Sequence, residues 1–166
     1  IFLTNYAKGI ISQYQNIDYD TIVINHGISD QFRIHKENKL SLSSQEKIVI
    51  SYVSNSGLYK HNWNVIEAVS KVREKYGFNI KLQLLGAKIG DKKSLLKTKE
   101  AIDKFDPFDN FVLTTSKINH SELVAYLQKS DVFLFASTCE NMPNALIEGM
   151  STSLPIICSD YGPMPE

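Results

Sequence analysis

Val132-Phe133-Leu134-Phe135-Ala136-Ser137-Thr138-Cys139-Glu140-Asn141-Met142-Pro143-Asn144-Ala145-Leu146-Ile147-Glu148 decides how the rest of the chain is read. Its first five residues are an unbroken apolar run of strand length, the pattern of a buried β-strand. Proline fixes its own φ, donates no N–H and disfavours the α region for the residue before it, so a helix is expected to begin at Pro143. Glu140 then lies in a loop and Glu148 about one and a half turns into the helix. Two carboxylates therefore bracket a strand-to-helix turn at the carboxyl end of a buried strand. Open parallel α/β sheets bind their ligands at that end.

Working outward, strand and helix signals alternate. Residues 48–53 are β-branched and apolar, a second buried strand. Val65, Val69, Val72 and Tyr76 recur at helical spacing, Ile66 and Ala68 widen that face, and Gly77 suits the left-handed residue beyond its end. Residues 80–85 read as a strand closed by Gly86, and Gly90-Asp91 opens a Lys-rich helix with Leu95, Leu96, Ile102 and Phe105 on its apolar side and Pro107 beyond its end. Its lysines read as a solvated face. Residues 111–115 form a further strand, Asn119 with Glu122 makes a capping box for the helix carrying Leu123, Tyr126 and Leu127, and residues 155–158 supply a fifth strand. Such alternation predicts an α/β fold, a parallel sheet with helices on both faces and right-handed crossovers.

The amino-terminal part is thinner. Residues 1–4 and 21–24 read as strands and 5–15 as a short helix capped by Asn5, too little to hold a core alone. A turn over residues 25–30 leads into a polar, linker-like stretch at 31–45. The chain opens mid-pattern without Met and stops just after a strand, so a fragment of a larger protein is expected. At 166 residues and 43% hydrophobic content it is about one domain, and 18 basic against 18 acidic residues leave no global field to draw it onto nucleic acid or an anionic membrane. No apolar run approaches the roughly 20 residues of a membrane helix, and no secretory leader opens the chain, which points to the cytosol. Cys139 and Cys158 lack metal-type spacing and are expected as reduced thiols.

Several chemistries drop out. The chain has no G-x-G-x-x-G after the strand at 48–53, no G-x-x-x-x-G-K-[ST], no H-E-x-x-H and no G-x-S-x-G, and His26, His35, His61 and His120 are scattered, as surface or capping residues are. What remains is a rim of groups following successive strands: Lys60, Gly86, Lys117 with Ile118, and residues 140–144. A Lys near a helix start binds phosphate well, and a glycine lets a ligand approach the backbone, so the set suggests an anionic, diphosphate-like ligand. Glu148 suits either a ribose diol or the dipole of its own helix. Glu140, in a loop, has no helix to explain it.

These residues resemble a known family. Glu140 to Glu148 is similar to the Glu, seven residues, Glu motif of retaining glycosyltransferases built from two Rossmann-like domains, the GT-B fold. Ser130-Asp131-Val132-Phe133-Leu134 resembles the family's "a-D-v-f-v" strand, Glu148-Gly149-Met150 through Leu154-Pro155-Ile156-Ile157 its "E-A-M-A-x-G-x-P-V-I", and Met164-Pro165-Glu166 its "P-E" segment. The likeness runs from about Val23 to Glu166.

The resemblance implies the Rossmann-like, C-terminal, donor-binding half of a group 1 glycosyltransferase. Residues 1–28 become a remnant of the missing N-terminal acceptor domain, 29–47 the linker and approach, and 48–166 the nucleotide-sugar-binding domain, truncated at its C-terminus. By the same analogy Lys60 meets the diphosphate and Glu140 contacts the donor sugar near its reacting carbon. Glu148 holds the ribose hydroxyls, the backbone around Asn144 and Ala145 meets phosphate or sugar, and the base lies near Gly86 and Ile118. The implied partners are a nucleotide-sugar donor and a carbohydrate or lipid-linked acceptor, with neither metal nor further cofactor. The role is in polysaccharide or glycoconjugate synthesis, in the cytoplasm or peripherally at the inner face of the membrane. Two departures stand out. Ser54-Asn55 occupies the positions of the family's usual Gly-Arg, and Asn55 forgoes a charge worth about 1.5 to 3 kcal/mol in an ionic hydrogen bond. Pro143 replaces a small residue and removes an N–H donor. The competing readings are a nucleotide-sugar epimerase on the same fold and a non-catalytic nucleotide-binding module. The fragment alone is expected to be inactive.

Overall fold

The computed structural model describes residues 1–17, 19–33 and 47–166. The first helix, α1 (Asn5–Tyr14), buries none of its residues. The expected strand over 48–53 is β1 (Lys47–Val53), buried from its second to its sixth residue. It leads through a 3-10 turn (Leu58–Lys60) into α2 (Asn62–Tyr76), which turns Val65, Ile66 and Val69 to the core and ends at Gly77. Next come β2 (Asn79–Leu85), α3 (Lys92–Phe105), β3 (Val112–Thr114), α4 (His120–Gln128), β4 (Val132–Phe135), α5 (Asn144–Met150) and β5 (Ile156–Cys158). The capping box forms as expected: the Asn119 side chain accepts the Glu122 N–H at 2.9 Å, and the Glu122 carboxylate accepts the Asn119 N–H at 2.9 Å.

All five strands are parallel, in the order β3-β2-β1-β4-β5. The Rossmann-like α/β expectation holds. α2 packs on α3, and with this strand order the right-handed rule for parallel crossovers assigns α2 and α3 to one face and α4 and α5 to the other. Tyr52, Leu82, Leu84, Phe133 and Phe135 fill the core between the layers. Ser51 is a polar residue in the middle of the central strand, and its hydroxyl is satisfied by Ser130 at 2.7 Å and Gln83 at 3.0 Å. The chain leaves β1 toward β2, then returns from β3 to β4 on the other side of β1. The sheet's switch point therefore lies between the carboxyl ends of β1 and β4, where such sheets open a crevice for ligand.

The amino-terminal segment departs from expectation. The strands expected at 1–4 and 21–24 reduce to one bridge, Phe2 with Val23. Thr4, not Asn5, caps α1, its hydroxyl accepting the Ala7 N–H at 3.1 Å. Asn5 and Tyr6 instead donate their backbone N–H groups to the Glu166 carboxylate at 2.7 and 3.0 Å, which hold that carboxyl below its usual range. Of the stretch read as linker, residues 34–46 lie outside the described residues, while Phe32 packs into the main core at 1% exposure. The helix expected from Pro143 begins one residue later, with Pro143 as its cap.

Asp106 is buried at the end of α3, yet its carboxylate accepts the backbone N–H groups of Asn110 (2.7 Å), Phe111 (3.0 Å) and Val112 (2.7 Å). It thus supplies acceptors to the turn that launches β3, and the N–H groups solvate a charge that burial would otherwise make costly. Asp106→Ala is expected to lower unfolding free energy by about 2 to 4 kcal/mol, with Asp106→Asn losing less because it keeps one acceptor. Urea unfolding of the three chains checks this, and an Asp106→Ala loss below about 1 kcal/mol would refute the assignment.

Candidate functional site

Lys60 is held by its backbone before its side chain does anything. Its N–H donates to the Gly57 carbonyl at 2.9 Å, and its carbonyl accepts the Tyr52 hydroxyl at 2.8 Å. Tyr52 is fully buried, and burial pushes its hydroxyl well above the usual value, so it stays a neutral donor. The Lys60 ammonium then meets the Glu140 carboxylate across the switch point, the two side chains being only 11% and 13% exposed. It also lies 5.0 Å from the Phe135 ring centroid and 5.1 Å from that of Tyr59. Sequence reasoning gave Lys60 and Glu140 separate tasks, and the structure joins them as an ion pair. Lys60 has further N–H donors to offer a ligand without leaving Glu140.

Beside Lys60 opens a cavity of about 340 Å³. Of the residues expected to bind a nucleotide-sugar, Asn55, Lys60, Gly86, Ile118, Ala145 and Glu148 all line it. The loop after β1 is fixed from beneath by buried Asn62, which takes a hydrogen bond from Ser54 at 3.2 Å and gives one to Ser56 at 3.0 Å, leaving Asn55 between them exposed. Two glycines make the neighbouring backbone approach possible. Gly86 has φ +97°, and a Cβ on it would lie 3.0 Å from the Ser54 carbonyl oxygen; one on Gly90 would lie 1.9 Å from that of Ser56. Glu148 is half-buried, and burial lifts its carboxyl above the usual value while His120 pulls it the other way.

Glu140 and Asn144 lie outside that cavity. Glu140 lines a second, more apolar cavity of about 430 Å³, walled by Phe2, Tyr6, Ile10 and other residues of the amino-terminal segment. Asn144 Oδ1 accepts a hydrogen bond from His26 Nδ1 at 2.5 Å, and the residue borders a small cavity of about 160 Å³ with Gly27, Phe32 and Glu148. His120, read from the sequence as a surface or capping residue, is exposed at the start of α4 beside the rim, packs edge-on to Phe32 at 5.7 Å and lines the cavities on both sides of Glu148. Lys117 lines the cavity beside Lys60 and forms no ion pair among the described residues. α5 has seven residues, about two turns, so its dipole at Pro143 is weaker than a full helix would give. Among the described residues no three His, Cys, Asp or Glu side chains gather as metal ligands do, and no helix is long and apolar enough to cross a membrane.

The family described as glycosyl transferases group 1 matches residues 33–166. An uncharacterised glycosyltransferase of Methanocaldococcus jannaschii is 36% identical over 101 residues, 61% of this chain and 23% of that protein. Among solved structures, Anabaena HepE in complex with UDP and glucose aligns with a TM-score of 0.78 at 14% identity, over 99% of this chain and 45% of HepE. The C-terminal domain of the group 1 family glycosyl transferase LpcC of Francisella tularensis aligns with a TM-score of 0.65 at 21% identity, over 84% of this chain and 74% of that domain. At these identities the solved structures establish the fold, the Rossmann-like domain of GT-B glycosyltransferases. The chain spans 23% of the Methanocaldococcus jannaschii relative's length.

Because burial raises the Glu148 carboxyl, the folded chain holds that proton more tightly than the unfolded chain does. The resulting stabilisation is present at acidic pH and is lost as pH rises through the folded value, so near neutrality the ionised group is a net cost. Glu148→Gln is therefore expected to be more stable than the parent at pH 7, with the gap closing as pH falls from the raised folded value toward the ordinary value of 4.5. Urea midpoints at about pH 4 and pH 7 check this, and a variant equally destabilised at both would contradict it.

Proposed function

The chain belongs to the group 1 glycosyl transferases, and from that membership we propose that it is the C-terminal, donor-binding half of a retaining GT-B glycosyltransferase using a nucleotide-diphosphate sugar. The observation that carries the reading is the Lys60–Glu140 pair at the switch point, beside a cavity that ends at Glu148. In this reading the diphosphate sits against Lys60 and Lys117, the ribose hydroxyls donate to Glu148, and the base rests near Gly86 and Ile118. The sugar reaches from the diphosphate past Lys60 toward Glu140, with the backbone of Asn144 and Ala145 and the Asn144 amide around it. The UDP and glucose bound by the Anabaena neighbour are ligands of this class.

Retention requires the diphosphate to leave while an acceptor hydroxyl arrives on the same face of a cation-like sugar. Charge stabilisation dominates such a step. Lys60 and Lys117 meet the negative charge growing on the leaving group, and Glu140 orients the sugar and steadies positive charge at its anomeric carbon. No metal or further cofactor has a task in this scheme. Residues 1–28 belong to the acceptor-side domain, 29–47 connect to it, and 48–166 bind the donor. The acceptor is a carbohydrate or lipid-linked hydroxyl, and the whole enzyme works in polysaccharide or glycoconjugate synthesis on the cytoplasmic side, free or peripheral to the membrane.

Residues 1–166 are expected to bind UDP, GDP or ADP without transferring sugar, and Lys60→Ala to weaken the preferred diphosphate by about 10- to 100-fold in calorimetry. Unchanged affinity would remove Lys60 from the site. In the full-length enzyme Glu140→Gln is expected to lower turnover by at least about 100-fold. Near-parental turnover would remove the role given to Glu140, and conversion of the nucleotide-sugar to an epimer without acceptor would overturn the transferase reading.

A further inference from the structure

At φ 54° and ψ 32° His61 is left-handed, a backbone region that non-glycine residues seldom adopt. It is also the cap residue of α2, yet its ring makes no capping hydrogen bond there. Instead His61 Nε2 lies 2.8 Å from Thr138 Oγ1 and shares a hydrogen bond with it. The Thr138 N–H in turn donates to the Tyr59 carbonyl at 3.0 Å. The ring's own orientation is supported by an edge contact with Trp63, 5.9 Å between centroids. Strain held against a specific contact next to a site, with no capping return, points toward function.

The location of those two bonds says which function. They lace the segment that follows β1 to the segment that follows β4, on the ligand side of the switch point. Lys60 lies between Tyr59 and His61, and Glu140 lies two residues beyond Thr138. The lacing therefore flanks the ion pair on both segments. A bound diphosphate shares the Lys60 ammonium with Glu140 and so loosens the pair's hold on the two loops. The His61–Thr138 hydrogen bond engages neither Lys60 nor Glu140 and stays in place.

We propose that His61 is a positioning residue whose hydrogen bond to Thr138 keeps Lys60 and Glu140 at the separation that lets the cation hold the diphosphate while the carboxylate faces the sugar of the same donor. The inference rests on the donor-site reading above. A misplacement of about 1 Å between groups acting on one substrate costs on the order of 100-fold in rate, so the lacing acts on turnover more than on binding.

The test uses the full-length enzyme with a panel of UDP-, GDP- and ADP-sugars, and the matching nucleoside diphosphate for affinity. His61→Gly deletes the ring and relieves the left-handed strain, so its melting temperature is expected to be no lower than the parent's, which separates positioning from folding. Its kcat is expected to fall about 10- to 100-fold while affinity for the diphosphate changes less than about 3-fold. Thr138→Val is expected to do the same, Thr138→Ser to restore kcat to within about 3-fold of the parent, and the double variant to be no worse than either single one. Parental kcat in both His61→Gly and Thr138→Val overturns the positioning role and leaves the donor site standing. A parent that binds none of the three diphosphates and transfers none of their sugars removes the donor site, and this role with it.

Discussion

An ammonium and a carboxylate sheltered from water to 11% and 13% exposure are tolerable only as partners, since either alone would leave a nearly buried charge uncompensated. The Lys60–Glu140 pair therefore constrains everything around it. Its members stand 80 residues apart in sequence and come from the loops after β1 and β4. Those strands are hydrogen-bonded neighbours only because the chain passes out through β2 and β3 before returning. Buried Tyr52 grips the backbone of Lys60 from within the sheet, and Phe135, at the end of β4, lies under its ammonium. The strands that make the core thus also aim the charges.

The pair also divides the surface above the sheet. On the Lys60 side lies the polar-rimmed cavity with Lys117, His120 and Glu148, and on the Glu140 side the apolar cavity against α1. Under the proposed function, a sugar donor anchored by its diphosphate on the first side would bring its anomeric carbon to the boundary, where Glu140 would face both the donor and the acceptor. The loop carrying Glu140 is tied down by Thr138 to Tyr59 and His61, and the helix after it by Asn144 to His26.

Much of the fold was legible because burial imprints itself on local pattern. β1 is mostly apolar, with Ser51 the buried exception, because helices cover both faces, and α2 shows its spacing because one side of it meets the sheet. Asn119 and Glu122 announced the start of α4 because a capping box is a contact between near neighbours in sequence. The amino-terminal strands failed as predictions because residues 1–4 and 21–24 find only each other to pair with, and one bridge is all that forms. Phe32 was lost in a polar stretch because a single buried side chain leaves no period.

Sequence alone determined the α/β architecture, the order of elements and a rim carrying Lys60, Gly86, Lys117 and Ile118, since these follow from periodicity and from the rule that such sheets bind at their carboxyl ends, while Asn55 and Ala145, which line the same cavity, were implied by the family resemblance. Tertiary structure decided that Lys60 and Glu140 are one ion pair, that His120 stands beside Glu148, and that His61 holds a strained backbone to reach Thr138. None of these is a local property. Each is a distance between loops that only the crossover through β2 and β3 brings together, and no spacing within either loop records it.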